Sequence, residues 1–389
     1  MKVLFFQIMK EHGGASRSLV EVAGRLQAHA RVEVVDVYGD CPAFAQGLES
    51  AGVPRRVLLP GGDLKAVGSR HQSLRRLGRL LGTVPHVLRI QKAAERLLGE
   101  MRPDVVVSND FRSLLPLALS RKLKRIALVA YCRGWWTPDM LAAYSRWIAR
   151  SRCAAVIAVS RPTKLALGCA GVDPGKIHVV HNPIDVDAFR GLADRPLSGD
   201  VPQAHRPVRL LMPAMVIHGK GHRTAIRALR HLVDAGQEPV LWLAGALRPS
   251  TEAFVRECNQ LAHSLGVGDR VEWLGLRDDV PQLMKASTMV VLPSHSEGHP
   301  RVSLESAAVS RPLVGTPVGG MTDMILHRVT GMLHEVDDAE GMARCVLDLV
   351  EDPALAARIV QNAHRYVCEC FRPEQQTQEL LSVFRKAIG

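Results

Sequence analysis

Short apolar runs alternate with helix-spaced stretches along this chain, and the alternation happens twice. In the first half Val3–Ile8, Val32–Val37, Asp104–Val107, Ile126–Tyr131, Ala155–Val159 and Ile177–His181 read as strands. Between the early ones lie segments such as SRSLVEVAGRLQAHA, where Leu19, Val22, Ala23 and Leu26 keep helical spacing. The pattern breaks at GLADRPLSGDVPQAHRP (191–207), which has no period and is rich in turn formers. It then resumes with Val208–Met212, Val240–Ala244, Arg270–Leu274, Met289–Leu292 and Leu313–Gly315. Strand, helix and strand in succession close as a parallel sheet with helices on its faces. The expectation is therefore two doubly wound α/β domains joined by a hinge, at 1–190 and 205–372. A last helical pattern, PEQQTQELLSVFRKAI, predicts a closing helix over 373–389 that packs back on the first domain.

A length of 389 residues suits two cores rather than one. No apolar run reaches the length of a membrane span. The first residues, MKVLFFQIM, lead into Lys10 and Glu11 without a small-residue cleavage site, and read as a strand rather than a signal peptide. The eight cysteines show no CxxC pair, which predicts reduced thiols and a cytoplasmic protein. His364, Cys368 and Cys370 share one helical pattern and read as ordinary helix residues rather than a metal site. Neither half carries the G-x-G-x-x-G fingerprint of dinucleotide enzymes.

The net charge of +12 is uneven. Residues 65–102 hold Lys65, Arg70, Arg75, Arg76, Arg79, Arg89, Lys92, Arg96 and Arg102 against Glu95 and Glu100, with leucines interleaved. Such a segment is either a solvated helical face or a basic amphipathic surface for anionic lipid. Nucleic acid is not expected there, because the segment has no aromatic residue to stack on a base.

The stretch LPSHSEGHPRVSLESAAVSRPLVGTPVGG (292–320) carries the chemistry. TMVVLP is a strand, SHSEGH the loop leaving its carboxyl end, and Pro300 starts the next helix. Ligands of open α/β sheets bind at that edge, and helix N-termini attract phosphate. Glu305 lies about five residues into the helix, roughly 7–8 Å beyond its start, and flanks the Leu304, Ala307 and Ala308 stripe. Two carboxylates so spaced can hold both ends of one ligand, since a carboxylate accepts two hydrogen bonds from paired sugar hydroxyls. The alternative is a helix cap at Glu297 and a surface ion pair at Glu305.

This stretch resembles the E-x7-E region of glycosyltransferase family 4, the retaining, glycogen-synthase-like transferases of the GT-B fold. GGASRSLVEVAGRL (13–26) resembles the family's Gly-Gly loop and first helix, and the 155–189 segment resembles the one closing its first domain. GKGHRTAIRALRHL (219–232) resembles its Lys-Gly motif, while VEWLGLRDDVPQLMKAS (271–287) and TGMLHEVDDAEGMARCVLDLVEDP (330–353) resemble later blocks. The likeness is loose between about 40 and 125.

The resemblance implies two Rossmann-like domains facing each other across a cleft, with a nucleotide-diphospho-sugar held mostly on the second. Glu305 matches the glutamate that holds the ribose, and Glu297 the one at the transferred sugar and departing phosphate. Lys220 matches the diphosphate lysine. Gly298 and the amides of Val302 and Ser303 fall at the phosphate-facing helix start, those of Gly13 and Gly14 at the first domain's loop, and Arg277 in the base-contacting segment. Arg133 stands where many members have a histidine near the sugar, and Trp135 beside it is a candidate acceptor face. Trp136 follows directly, and packing under a loop is the commoner fate of such a pair. The family's arginine shortly before the lysine is replaced by Pro213-Ala214-Met215-Val216, so one diphosphate contact is lost unless His218, His222 or Arg223 supplies it. Asp323 replaces a glutamate after the later Gly-Gly.

The implied activity is retaining transfer of a sugar from a nucleotide-diphospho-sugar to a polysaccharide or glycolipid acceptor in cell-surface glycan synthesis, lipopolysaccharide included. It implies no cofactor and no essential metal, and a cytoplasmic protein peripheral to the inner membrane face. Asp185 and Asp187 are read as structural rather than as a metal pair. The rival readings are a non-hydrolysing sugar-nucleotide 2-epimerase and a non-catalytic nucleotide-sugar-binding protein.

Overall fold

The computed structural model describes residues 1–8, 13–61, 76–135, 143–199 and 201–389. The chain divides into two compact units, Met1–Asn182 with Glu374–Gly389, and Pro183–Pro373.

The first unit is built on a seven-stranded sheet in the order β3-β2-β1-β4-β5-β6-β7. Its strands are β1 (Lys2–Gln7), β2 (Arg31–Asp36), β3 (Arg55–Val57), β4 (Val105–Ser108), β5 (Ala127–Cys132), β6 (Ala155–Ala158) and β7 (Ile177–Val179), every pairing parallel. Both faces are covered, so β1 reads as a continuous apolar run rather than an alternation. Val3 and Phe5 face α1 (Gly14–Leu26), α2 (Pro42–Ser50) and α15 (Pro373–Ile388), whose Leu19, Phe44 and Phe384 share their core. Leu4 and Phe6 face α3 (Arg76–Met101), α4 (Phe111–Ala118), α5 (Ala143–Ser151) and α6 (Arg161–Cys169), through Ile90, Leu114, Ile148 and Leu167. Strand β3 is absent from the sequence reading. It is a three-residue exposed edge strand whose Arg55 and Arg56 pair with Asp36 and Glu33, and it has no apolar signature to read.

The second unit carries a six-stranded sheet in the order β10-β9-β8-β11-β12-β13. The strands are β8 (Val208–Pro213), β9 (Pro239–Ala244), β10 (Val271–Gly275), β11 (Met289–Leu292), β12 (Leu313–Gly315) and the short β13 (Met332–Leu333). One face is packed by α8 (His222–Asp234), α9 (Glu252–Ser264) and α13 (Ala339–Glu351), the other by α7 (Val186–Ala193), α10 (Val280–Ala286), α11 (Arg301–Ala308) and α12 (Met321–Met324). Helix α14 (Pro353–Cys370) contributes Ile359 to the first core and Val367 to the second.

The structure moves the boundary. The expected first domain ran to residue 190, but α7 packs on α10 and α11, and Ile184 donates its amide to the Phe371 carbonyl at 2.9 Å. Nor is 191–207 a free linker. Val201 is buried in the second core, Trp242 Nε1 donates to the Pro202 carbonyl at 2.9 Å, and the Ser198 amide donates to Asp279 at 2.8 Å. A stretch of turn formers carries no period, yet a few side-chain and backbone anchors are enough to fasten it. Lys65, Arg70, Arg75 and Trp136 lie outside the described residues.

Candidate functional site

Strands β8 and β11 are neighbours, and the loops leaving their carboxyl ends are stitched together. The β8 loop makes a tight turn over His218–Lys220 and enters α8 through Gly221, whose φ is +80°. A Cβ at Gly221 would lie 1.9 Å from the Pro293 carbonyl oxygen, so only glycine allows this approach. The His295 amide donates to the Gly219 carbonyl at 3.0 Å, closing the same seam. Its consequence is a contact that no spacing rule shows: Lys220 Nζ donates to Glu297 Oε1 at 2.6 Å, with the side chains 18% and 9% exposed. A charge-assisted bond that is largely shielded from solvent holds both groups in place.

The β12 exit closes the other side. The Gly320 amide donates to the Glu297 carbonyl at 3.0 Å, and a Cβ on Gly320 would meet the Gly298 carbonyl oxygen at 1.9 Å. Pro300 caps α11 rather than opening it, so the helix begins at Arg301. The Ser303 hydroxyl and amide both donate to the Pro300 carbonyl, at 2.7 and 3.2 Å, which turns the first turn of α11 tightly. Leu304, Ala307 and Ala308 are buried as a stripe, and Glu305 is half-buried beside them. Glu305 Oε1 lies 3.6 Å from Arg301 Nε, one turn back. Each glutamate therefore has a cation partner, Val302 is half-buried at the helix start, and Gly298 is the contact point for Gly320.

The Arg277 guanidinium is committed to the protein. It grips Asp279 with two bonds of 2.7 and 2.6 Å and donates to the Ser198 carbonyl at 3.1 Å. The hydrogen bond from Arg277 is the main reason the buried Asp279 carboxyl sits below the usual range. Arg277 thus ties the β10 exit loop to the 194–199 segment through Asp279 and Ser198.

The three candidate substitutes for the missing arginine have different surroundings. His222 is buried and stacks on Trp273 with ring centroids 6.0 Å apart, and burial pushes its pKa down to about 4. A neutral imidazole supplies no phosphate charge. Arg223 pairs with Glu257 and lies 5.4 Å from the Phe254 ring centroid. His218 is exposed, 4.0 Å from the same ring.

In the first unit Gly13 precedes α1 in extended backbone, φ −142°. Its amide donates to Ser16 Oγ at 2.8 Å, so the Gly13 N–H assigned to phosphate is already used in the helix's own first turn. No described atom lies within 4 Å of a Cβ built on Gly13 or Gly14. Arg133, just past β5, donates from Nε to Asn109 Oδ1 at 2.8 Å and from Nη1 to Ser18 Oγ at 3.0 Å. Its Cζ lies 3.5 Å from the centroid of the buried Tyr131 ring. Asn109 donates in turn to Gln7, and Ser18 to Asn182 at 3.3 Å. Gln7, Ser18 and Asn109 were missed from sequence; the only signal was a polar residue at the carboxyl end of an apolar strand or inside a helix stripe. Trp135 is half-buried. Asp185 caps α7 through the Ala188 amide at 2.9 Å.

Two doubly wound parallel sheets make this an α/β protein of the GT-B class. The family described as Glycosyltransferase Family 4 matches residues 12–188, and that described as Glycosyl transferases group 1 matches 200–366. The chain belongs to the family 4 glycosyltransferases. Among curated relatives it is similar to D-inositol 3-phosphate glycosyltransferase 1 of Catenulispora acidiphila, at 29% identity over 56% of this chain and 53% of the relative. It is also similar to the lipopolysaccharide core biosynthesis mannosyltransferase LpcC of Rhizobium leguminosarum bv. viciae, at 27% identity over 64% of this chain and 68% of that one. The match thus spans about half the length of the first of these relatives. Among solved structures, Anabaena HepE in complex with UDP and glucose superposes with a TM-score of 0.80 and 22% identity, covering 99% of each chain. That likeness establishes the fold.

Proposed function

We propose that the chain is a retaining glycosyltransferase that takes a nucleotide-diphospho-sugar as donor and a polysaccharide or glycolipid as acceptor, in cell-surface glycan synthesis at the cytoplasmic membrane face. The Lys220–Glu297 pair at the β8 and β11 exits is the observation that carries this reading. Breaking the sugar–phosphate bond leaves extra negative charge on the nucleoside diphosphate and an oxocarbenium-like sugar. Lys220 and the first turn of α11 meet the first charge. These groups supply the stabilisation without an essential metal. Glu297 lies where sugar and phosphate part, and Glu305 holds the ribose hydroxyls. In this reading Arg133, fixed by Asn109 and Ser18, contacts phosphate or acceptor, and Trp135 is a candidate acceptor face.

The test is incubation with UDP-, GDP-, ADP- and dTDP-sugars, with and without EDTA. Slow release of nucleoside diphosphate, unchanged by EDTA, is expected. A sugar altered at C2 without nucleotide release would make the protein an epimerase, and binding without turnover would make it a binding protein.

A further inference from the structure

The helical layer α3–α6 covers one face of the first sheet, and its outward side has an uneven chemistry. Every helix sets a large apolar side chain into solvent: Leu88 on α3, Leu119 at the end of α4, Trp147 on α5 and Leu165 on α6, the last two 58% and 69% exposed. The layer is continuous, because α3 packs on α4 and α4 on α5, while the Arg150 guanidinium lies against Gly171 just past α6. Two bonds tie its lower corner, from the Arg121 amide to Glu95 at 2.7 Å and from Arg152 to the Ala118 carbonyl at 3.1 Å.

Exposed cations share the layer with these apolar side chains. Arg89, Lys92, Lys124, Arg125, Arg150 and Lys164 lie on these helices or the turn after α4, and all but the half-buried Lys164 are exposed. From Val105 to Cys169 the sequence holds two acids, Asp110 and Asp139. Asp110 is consumed as the cap of α4, accepting from the Arg112 and Ser113 amides, and Asp139 lies outside the described residues. Glu95 and Glu100 on α3 are the other acids of the layer. Among the described residues no helix is long and apolar enough to cross a membrane, so the face is not part of a span.

We infer that the outer face of α3–α6 is a docking surface for an anionic lipid bilayer. Exposed leucine and tryptophan side chains insert at headgroup depth, and the cations among them attract anionic headgroups. A polyanion alone explains the arginines and lysines but not four protruding apolar groups; a neutral apolar partner explains the reverse. The surface extends well beyond 65–102, and the inference is independent of the donor reading, because none of its residues belongs to the proposed site.

Sedimentation of the full chain with phosphatidylcholine vesicles, and with vesicles containing phosphatidylglycerol, tests it. Binding to the anionic vesicles alone, lost as salt is raised, is expected. Replacing Lys124, Arg125 and Arg150 together with Gln should weaken it on the order of a hundred-fold. Trp147→Ala should weaken it at unchanged salt dependence. Melting curves establish that the variants are folded, and donor hydrolysis measured without vesicles should not change. Equal binding to both vesicle types, no binding by the wild type, undiminished binding by both variants, or capture of DNA in place of vesicles would each overturn the inference. Absent donor hydrolysis in all proteins would count against the donor reading alone.

Discussion

Lys220 and Glu297 are bonded to each other, and this refines what their substitutions should do. Lys220→Ala should remove about 2–4 kcal/mol of transition-state stabilisation, seen as a loss in kcat/KM. Glu297→Gln should depress turnover while nucleoside diphosphate affinity holds or rises, because the diphosphate no longer competes with a carboxylate for the lysine. Glu305→Gln should instead weaken the bare nucleoside diphosphate, which has ribose but no sugar. Calorimetric titration beside turnover rates separates the two, and matching profiles would sink the division of roles. His222 makes a pH prediction. Its folded pKa of about 4 lies below the ordinary 6.5 of the unfolded chain, so between those values the unfolded state takes up the extra proton. Stability is present in full above 6.5 and is lost as pH falls towards 4, by roughly 3 kcal/mol at most. The melting temperature of the second unit should drop across that range, and less so in His222→Phe.

The elements that build the site are loops held by glycines at backbone crossings. Gly221→Ala forces a side chain into left-handed backbone, costing about 1–3 kcal/mol, before its Cβ meets the Pro293 carbonyl. It should lower the melting temperature and weaken nucleotide binding together, because the crossing sets the Lys220–Glu297 distance. A variant that melts low but binds normally would show that the crossing is not what positions the lysine. The start of α11 near Pro300 was legible from the strand–loop–proline pattern, and the E-x7-E motif from the family resemblance. Sequence places Arg277 on the β10 exit loop but does not show that its guanidinium donates two hydrogen bonds to Asp279 and one to the Ser198 carbonyl.

Helix α15 belongs to the first unit although it follows the second in sequence. Leu380, Leu381 and Phe384 are buried in the core shared with Phe5, and Gln376 bonds both Arg25 and the His181 carbonyl. A chain ending at Pro373 should lose the first unit's unfolding transition in calorimetry and bind a hydrophobic dye, while the second unit's transition persists. Two intact transitions in that truncation would mean α15 adds nothing to the first core.

Strand and helix alternation and the break near residue 200 could be read directly, because period and local backbone preference are properties of neighbouring residues, while the roles of the two glutamates came from the family resemblance. Strands β3 and β13 could not, because β3 is an exposed Arg-Arg-Val edge with no apolar run and β13 is only two residues long. The fastening of Ser198, Val201 and Pro202 onto the second unit, the bond from Arg277 to the Ser198 carbonyl, the neutral state of His222 and the 2.6 Å approach of Lys220 to Glu297 all depend on residues far apart in sequence. Burial and pairing between such residues exist only once the sheet has set strand exits side by side, so these features belong to the tertiary structure alone.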